Sequence, residues 1–319
     1  MITLSDLHAA KSRLHGIITR TQLIEFQLSA EDPRRLLLKP ENQQPIGAFK
    51  LRGAYNKIAS LSQEERQRGV ISYSSGNHGQ GVAYAARALN VKSIIVMPNN
   101  APQIKRDATG KLGAEIVLVG PASDERKTKA EELAAQHGYA IVPPYNDQKI
   151  IAGQGTIGLE ILEDLSDVET VLSPVGGGGL ISGVAAAIKL TNPKIKVIGV
   201  EPELAADAQA SLRQAKIVRF PAEQVSRTIA DGLRTQSIGP INFEHIRAYV
   251  DDIITVTEDE IRQAMKYLCA NPQTVAEPSG AVATAGFIFH ARELPQRTLN
   301  VAIISGGNVE PEMLKELRA

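Results

Sequence analysis

A lysine, three small-residue loops and a pair of carboxylates are the groups in this chain whose types and spacing could do chemistry together. Lys50 sits in Pro45-Ile46-Gly47-Ala48-Phe49-Lys50-Leu51-Arg52-Gly53-Ala54-Tyr55-Asn56, after the apolar run Leu36–Leu38. The stretch reads as a strand, a tight loop at Pro45–Gly47 and a helix opening near Ala48. That spacing puts Lys50 in the first helical turn, where the positive end of the helix dipole disfavours an ammonium. A lysine so placed has a depressed pKa and suits attack on a carbonyl carbon. A solvated first-turn lysine is the plainer reading, and position alone leaves both open.

Three loops follow the carboxyl ends of strands, the usual ligand position in open α/β sheets. Ser74-Ser75-Gly76-Asn77-His78-Gly79 offers hydroxyls, an amide, an imidazole and the N–H groups of a helix start, which suits a carboxylate. Gly176-Gly177-Gly178-Gly179 removes four consecutive Cβ atoms, so backbone N–H groups can converge on one anion, most simply a phosphate. Glu201 follows the next strand, so a dinucleotide-binding turn stays open on spacing alone. Ser305-Gly306-Gly307-Asn308 places a hydroxyl at a strand end, where it could bond a ring nitrogen; a plain glycine turn is the alternative. With Lys50, the three loops describe a site for pyridoxal phosphate.

The elements that must position these groups alternate in type. Val70–Tyr73, Ser93–Met97, Ile116–Val119 and Ala140–Val142 read as strands, separated by helices Asn77–Leu89, Pro102–Leu112 and Ser123–His137. A second series follows Pro143–Asn146: helix Ile157–Leu165, strand Val171–Val175, helix Leu180–Leu190, strand Val197–Val200, strand Ile253–Val256, helix Glu258–Ala270, helix Gly280–Ala291 and strand Leu299–Ile304. Such alternation means parallel strands with right-handed crossovers. The charged stretch Ser62–Gly69 reads as a connector between lobes, Ser5 as the cap of a first helix over Leu4–Ile18, and 207–243 as irregular. The division expected is 1–68 with 147–319 as a large lobe and 69–146 as a small one.

Composition narrows the class. Lys plus Arg and Asp plus Glu each total 35, so the formal charge is zero, which argues against nucleic acid or an anionic membrane as partner. The single cysteine, Cys269, cannot form an internal disulfide, and no apolar run spans a bilayer. The N-terminus lacks the pattern of a secretory signal, and the expected compartment is the cytoplasm.

The chain resembles the serine/threonine dehydratase and serine racemase family of fold-type II pyridoxal-phosphate enzymes, almost end to end. The motifs that carry the likeness are those above together with Ile151-Ala152-Gly153-Gln154-Gly155-Thr156, Val200-Glu201-Pro202, Ala230-Asp231-Gly232 and Glu277-Pro278-Ser279-Gly280. The resemblance implies an α/β fold of the tryptophan synthase β type, with two open, twisted, mostly parallel sheets and flanking helices. It implies Lys50 as Schiff-base lysine with Phe49 beside the cofactor ring, Asn77 on its phenolic oxygen, Gly176–Gly179 as phosphate cup and Ser305 on the pyridine nitrogen. Ser74, Ser75, Asn77, His78 and Arg126 fall in the substrate region. Glu201, the Ala205 carbonyl and Asp207 match a divalent-cation site, for Mg²⁺, Ca²⁺ or Mn²⁺.

The activity implied is ammonia-lyase: elimination from a β-hydroxy-α-amino acid (L-threonine, L-serine or L-threo-3-hydroxyaspartate) to a 2-oxo acid and ammonia. A racemase using Lys50 and Ser75 on opposite faces of the substrate is the alternative, and a non-catalytic pyridoxal-phosphate protein a third reading. The family also implies a homodimer. Pro45, Ile46 and Ala48 depart from its usual basic residue, threonine and serine, which puts nucleotide activation in doubt. No appended regulatory domain is expected.

Overall fold

The computed structural model describes residues 1–27, 32–74, 76–101, 103–120 and 123–318. The chain opens with α1 (Leu4–Leu14), β1 (Ile24–Phe26), β2 (Arg35–Pro40), α2 (Lys50–Ala59) and α3 (Gln63–Arg68). Next come β3 (Val70–Tyr73), α4 (Asn77–Ala88), β4 (Ser93–Pro98), α5 (Gln103–Lys111), β5 (Glu115–Val119), α6 (Ser123–His137) and β6 (Ala140–Ile141). Then follow α7 (Gln148–Asp164), β7 (Thr170–Pro174), α8 (Gly179–Thr191), β8 (Lys196–Pro202), α9 (Asp207–Gln214) and α10 (Ala222–Val225). The last are α11 (Pro240–Tyr249), β9 (Asp252–Val256), α12 (Glu258–Cys269), α13 (Pro278–Phe289), β10 (Leu299–Ile304) and α14 (Pro311–Arg318).

Two sheets result. One has the order β5-β4-β3-β6 and is parallel throughout. The other has the order β1-β2-β10-β7-β8-β9 and is parallel except where β1 pairs antiparallel with β2, Ile24 opposite Leu38. Its strands are apolar without alternation because helices cover both faces. Leu38, Leu172, Ile198, Ile254 and Ala302 face α13, whereas Val171, Val197, Ile253, Val301 and Ile303 face α8. The two-residue period of a strand sends neighbours to opposite cores.

Helix α2 is the seam. Leu51, Ala54, Tyr55 and Ile58 pack with Val82 and Ala86 of α4, Ile95 of β4 and Ile150 of α7 in one buried cluster. Its rear approaches α7 so closely that a Cβ on Gly153 would stand 2.6 Å from Arg52 O and Gly53 Cα. A Cβ on Gly155 would lie 2.7 Å from Gly183 O of α8. Those contacts explain why the helix expected over Ile157–Leu165 starts nine residues earlier, at Gln148 with Asp147 as its cap: its glycines form the face of close approach. The stretch Ser62–Gly69 carries a helix, α3, with a Ser62–Glu65 capping box. Helix α1 is capped by Thr3, not Ser5, and stops at Leu14. The stretch 207–243 holds α9, α10 and the start of α11. No helix among the described residues is long and apolar enough to cross a membrane.

Candidate active site

The strand ends of both sheets and the N-termini of α2, α4 and α8 face a cavity of about 970 Å³. Lys50, Phe49, Ser74, Asn77, His78, Arg126, Gly176–Gly179 and Ser305 all line it. The sequence-marked groups, far apart in the chain, are brought to one place. Ser75 lies outside the described residues.

Lys50 is the first residue of α2, one turn past Gly47, whose φ of +71° makes the turn and whose missing Cβ leaves room for Asn308. The loop is tied to the end of β10: Phe49 N donates to Ser305 O at 3.0 Å, Gly307 N to Gly47 O at 2.9 Å, and Ala48 bridges Gly306. The Lys50 Nζ donates to the Pro144 carbonyl at 2.9 Å and lies 5.1 Å from the Phe49 ring centroid. Burial, with no carboxylate beside it, brings its pKa down to about 8. The depression expected from sequence is present, with burial as its cause.

The glycine run is a tight passage. Gly178 has φ +91° and precedes the first residue of α8, so the turn needs a left-handed residue. A Cβ on Gly177 would come within 2.3 Å of the Tyr145 ring, and one on Gly179 within 2.9 Å of Tyr145 Cβ. Tyr145 therefore floors the cup beneath Gly177 and Gly179, and the first turn of α8 lines the cavity through Gly179 and Leu180.

Asn77 begins α4 with both ends of its amide assigned. Its Nδ2 donates to Glu277 Oε1 at 2.6 Å, and its Oδ1 accepts from Asn308 Nδ2 at 2.7 Å. One N–H remains for a ligand oxygen. Burial, then the nearby Asp231 charge, raises the Glu277 pKa to about 7. His78 Nε2 is 3.0 Å from the Val142 carbonyl, which can only accept, so the proton is on Nε2. Its Nδ1 is buried without a hydrogen-bond partner among the described residues, and burial plus the Lys50 charge lowers its pKa to about 3. A neutral ring in this tautomer has no donor left for a carboxylate. Any role of His78 in holding one falls to its backbone N–H, at the start of α4.

Ser305 Oγ is buried and donates to Ser279 O at 3.3 Å. Arg126, on α6, reaches the cavity wall, and burial lowers its pKa. Glu201 at the end of β8 and Asp207 at the start of α9 are both fully buried. Glu201 accepts from the N–H groups of Ala208 and Gln209, but neither Asp207 oxygen has a hydrogen-bond partner among the described residues. Burial and Asp207 push the Glu201 pKa well above the usual carboxylate range, and burial pushes Asp207 to about 8. No cluster of three or more His, Cys, Asp or Glu side chains that could hold a metal occurs among the described residues. Two buried carboxylates, one of them without hydrogens to accept, are nonetheless hard oxygen donors that suit a cation.

Comparison with known proteins decides the family. The pyridoxal-phosphate dependent enzyme model matches residues 14–306. The chain belongs to that family. Among curated members of it, the L-threonine ammonia-lyase of Thermotoga maritima is 45% identical over 319 residues, covering 99% of this chain and 78% of that protein. The L-threo-3-hydroxyaspartate ammonia-lyase of Saccharomyces cerevisiae is 40% identical over 309 residues, covering 97% and 94%. Of solved structures, a maize serine racemase superposes with a TM-score of 0.92 at 34% identity, covering 98% of this chain and 95% of that one. The fold of two largely parallel sheets with flanking helices is that of the family's fold-type II enzymes.

The residues present fit the cofactor that gives the family its description. A part-buried amine with no acid partner among the described residues, a glycine cup whose side-chain positions are filled by Tyr145, Leu233 and Asn242, and an asparagine donor held by two partners converge on one cavity. Sequence reasoning missed Pro144, Tyr145, Glu277 and Asn308 as site residues. Their motifs were visible, but nothing local says that a proline carbonyl receives Lys50 or that Glu277 reaches Asn77, 200 residues away.

Proposed function

We propose that this protein is an ammonia-lyase that converts a β-hydroxy-α-amino acid, L-threonine, L-serine or L-threo-3-hydroxyaspartate, to a 2-oxo acid and ammonia. The observation that carries the reading is Lys50: a part-buried amine held at the cavity wall by a carbonyl, with no carboxylate among the described residues to fix its charge. Pyridoxal phosphate, when bound, supplies the electron sink that lets bonds at Cα and Cβ of an amino acid break. Lys50 would carry the cofactor, and its Nζ, whose pKa of about 8 keeps part of it neutral near neutral pH, would take the Cα proton of the substrate. Gly176–Gly179 and the first turn of α8 would hold the phosphate, Phe49 would lie beside the ring, and Asn77 and Ser305 would serve its phenolic oxygen and ring nitrogen. The N-terminus of α4, with Ser74 and the backbone of Asn77 and His78, receives the substrate carboxylate. Arg126 accepts the second carboxylate of a hydroxyaspartate.

Glu201, the Ala205 carbonyl and Asp207 would hold a divalent cation, Mg²⁺, Ca²⁺ or Mn²⁺, whose charge would relieve the repulsion of the buried pair; its part would be structural or activating. Residues 69–146 act as the smaller lobe. The working form is a cytoplasmic homodimer. Likeness to the maize racemase and the place of Ser75 in the sequence favour racemisation as a side activity.

A panel of L-threonine, L-serine, D-serine and L-threo-3-hydroxyaspartate, scored for 2-oxo acid and for enantiomer, tests the reading. Dehydration of at least one L-substrate, slowed by EDTA, is expected. No 2-oxo acid from any of the four would remove the ammonia-lyase assignment.

A further inference from the structure

Behind Lys50 lies a group of charges with no part in the reading above. Arg52 is completely buried, and its guanidinium donates to five acceptors. Nε and one terminal nitrogen fork onto Glu41, both at 2.7 Å; the two terminal nitrogens fork onto Glu160 at 2.7 and 2.9 Å; Thr156 Oγ1 takes the fifth N–H at 3.0 Å. A guanidinium has five N–H groups, so none is spare. Lys39, also fully buried, donates to Glu160 at 2.7 Å and to the Thr21 carbonyl at 2.6 Å. Gln44 Nε2 donates to Glu41 at 3.0 Å and to the Thr19 carbonyl at 2.8 Å. The group joins the segment after α1, β2, the loop that leads to Lys50, α2 and α7.

Two cations and two carboxylates in an apolar interior are a poor device for stability. Apolar side chains of similar volume generally serve as well or better. What they add is direction: a fork bonds at one rotation and one height only. Residues two apart on a helix differ by about 200° and about 3 Å along the axis, so Arg52 faces away from the cavity when Lys50 faces it. A helix packed only by Leu51, Ala54 and Ile58 could roll or slide on smooth contacts. Fixing Arg52 at the rear fixes where the Lys50 amine stands in front.

We propose that Arg52 is the positioning residue of Lys50, and that the Arg52–Glu41–Glu160–Lys39 cluster sets the rotation and height of α2 against the phosphate cup. The proposal rests on Lys50 being the lysine that takes the cofactor. Burial opposes the Arg52 charge, and the two glutamates more than reverse that, raising its pKa, so Arg52 keeps its charge. Burial likewise opposes Glu160, which Arg52 and Lys39 hold below the usual carboxylate range.

Arg52→Lys tests the idea, because lysine keeps the charge but has three donors and no fork. Apoprotein of wild type and variant is titrated with pyridoxamine phosphate, which uses the cup but cannot condense with a lysine. It is then mixed with pyridoxal phosphate at a series of pH values, and the growth of the lysine-linked visible band is followed. The variant should bind pyridoxamine phosphate within about twofold of wild type yet form the band at least about tenfold more slowly, since misplacement by about 1 Å has effects on the order of a hundredfold. The midpoint of its pH profile should move up from about 8 towards the ordinary lysine value, as the loosened amine meets water. Thr156→Val, which leaves all four charges in place and removes one acceptor, should shift both readouts in the same direction and decides the matter where Arg52→Lys does not fold. A folded variant with wild-type band kinetics and pH profile, only melting earlier, would reduce the cluster to structural support and overturn the proposal. Lys50→Ala is the control: if it retains the band, the assignment of Lys50 has failed, not that of Arg52.

Discussion

Gly177→Ala puts the architecture of the phosphate cup to a quantitative test. The new Cβ would stand 2.3 Å from Tyr145 Cδ1 and 2.4 Å from Cε1 and Cγ. Carbon atoms in contact prefer about 3.5 Å, so the ring has to withdraw by about 1.2 Å. It has little room to do so. The carbonyl of the preceding residue, Pro144, holds Lys50 Nζ, the Tyr145 carbonyl accepts from Asn242 Nδ2 at 3.4 Å, and Tyr145 Cβ already abuts Gly179. Overpacking of this kind costs about 1–3 kcal/mol. At about 1.4 kcal/mol per tenfold, that corresponds to a loss of about fivefold to 150-fold in affinity for a phosphate held by the cup. Pyridoxamine phosphate binding to apoprotein, followed by fluorescence, measures it, with phosphate-free pyridoxal as the arm that should change little. Tyr145→Ser in the same chain empties the space and should return a good part of the affinity. Wild-type affinity in a folded Gly177→Ala protein would show that Tyr145 is not the floor of the cup.

Two further outcomes follow from the titrating groups. The neutral amine of Lys50 is the nucleophile, so the rate constant for capturing pyridoxal phosphate should climb about tenfold per pH unit below 8 and level off above it. A climb that continues to the ordinary lysine value near 10.5 would contradict the burial argument. For the cation site, Asp207 has its pKa raised from 3.8 to about 8 in the folded state, and that of Glu201 is raised above 4.5. The folded chain then holds more protons than the unfolded one between those values. Metal-free stability is therefore greatest at low pH and drains as pH rises towards 8. In EDTA, wild type should lose stability relative to Asp207→Asn across that window by up to about 1.4 kcal/mol per pH unit for each proton involved, and Mg²⁺ should close the gap. Melting curves at pH 5 and 8 check this; an equal offset at both, with and without EDTA, would count against a cation between these two residues.

The strands and the three loops were legible because their signals are local: apolar runs of strand length, glycines at strand ends, and Asn77 at a helix start. The first turns of α7, before Ile157, were not legible, because Gly153 and Gly155 add nothing to an apolar period; each marks where α7 touches α2 or α8 and a side chain has no room. Ser62–Gly69 looked like a linker because none of α3 is buried, and its helix rests on a capping box at one end and Gly69 at the other. The site was readable as a set of residue types but not as a set of orientations. His78 looked like a donor in sequence; only the Val142 carbonyl, 64 residues away, fixes its proton on the far nitrogen. Tyr145 and Pro144 stood in a stretch that merely broke a pattern. Their roles depend on contacts with Gly177 and Lys50 that no periodicity encodes.

The most direct test of the central claim is to reconstitute the protein with pyridoxal phosphate, reduce it with borohydride and map the modified peptide. The account predicts one stable pyridoxyl adduct, on Lys50, and loss of the visible band in Lys50→Ala. An adduct on another lysine, or none in a protein that binds the cofactor, would contradict it.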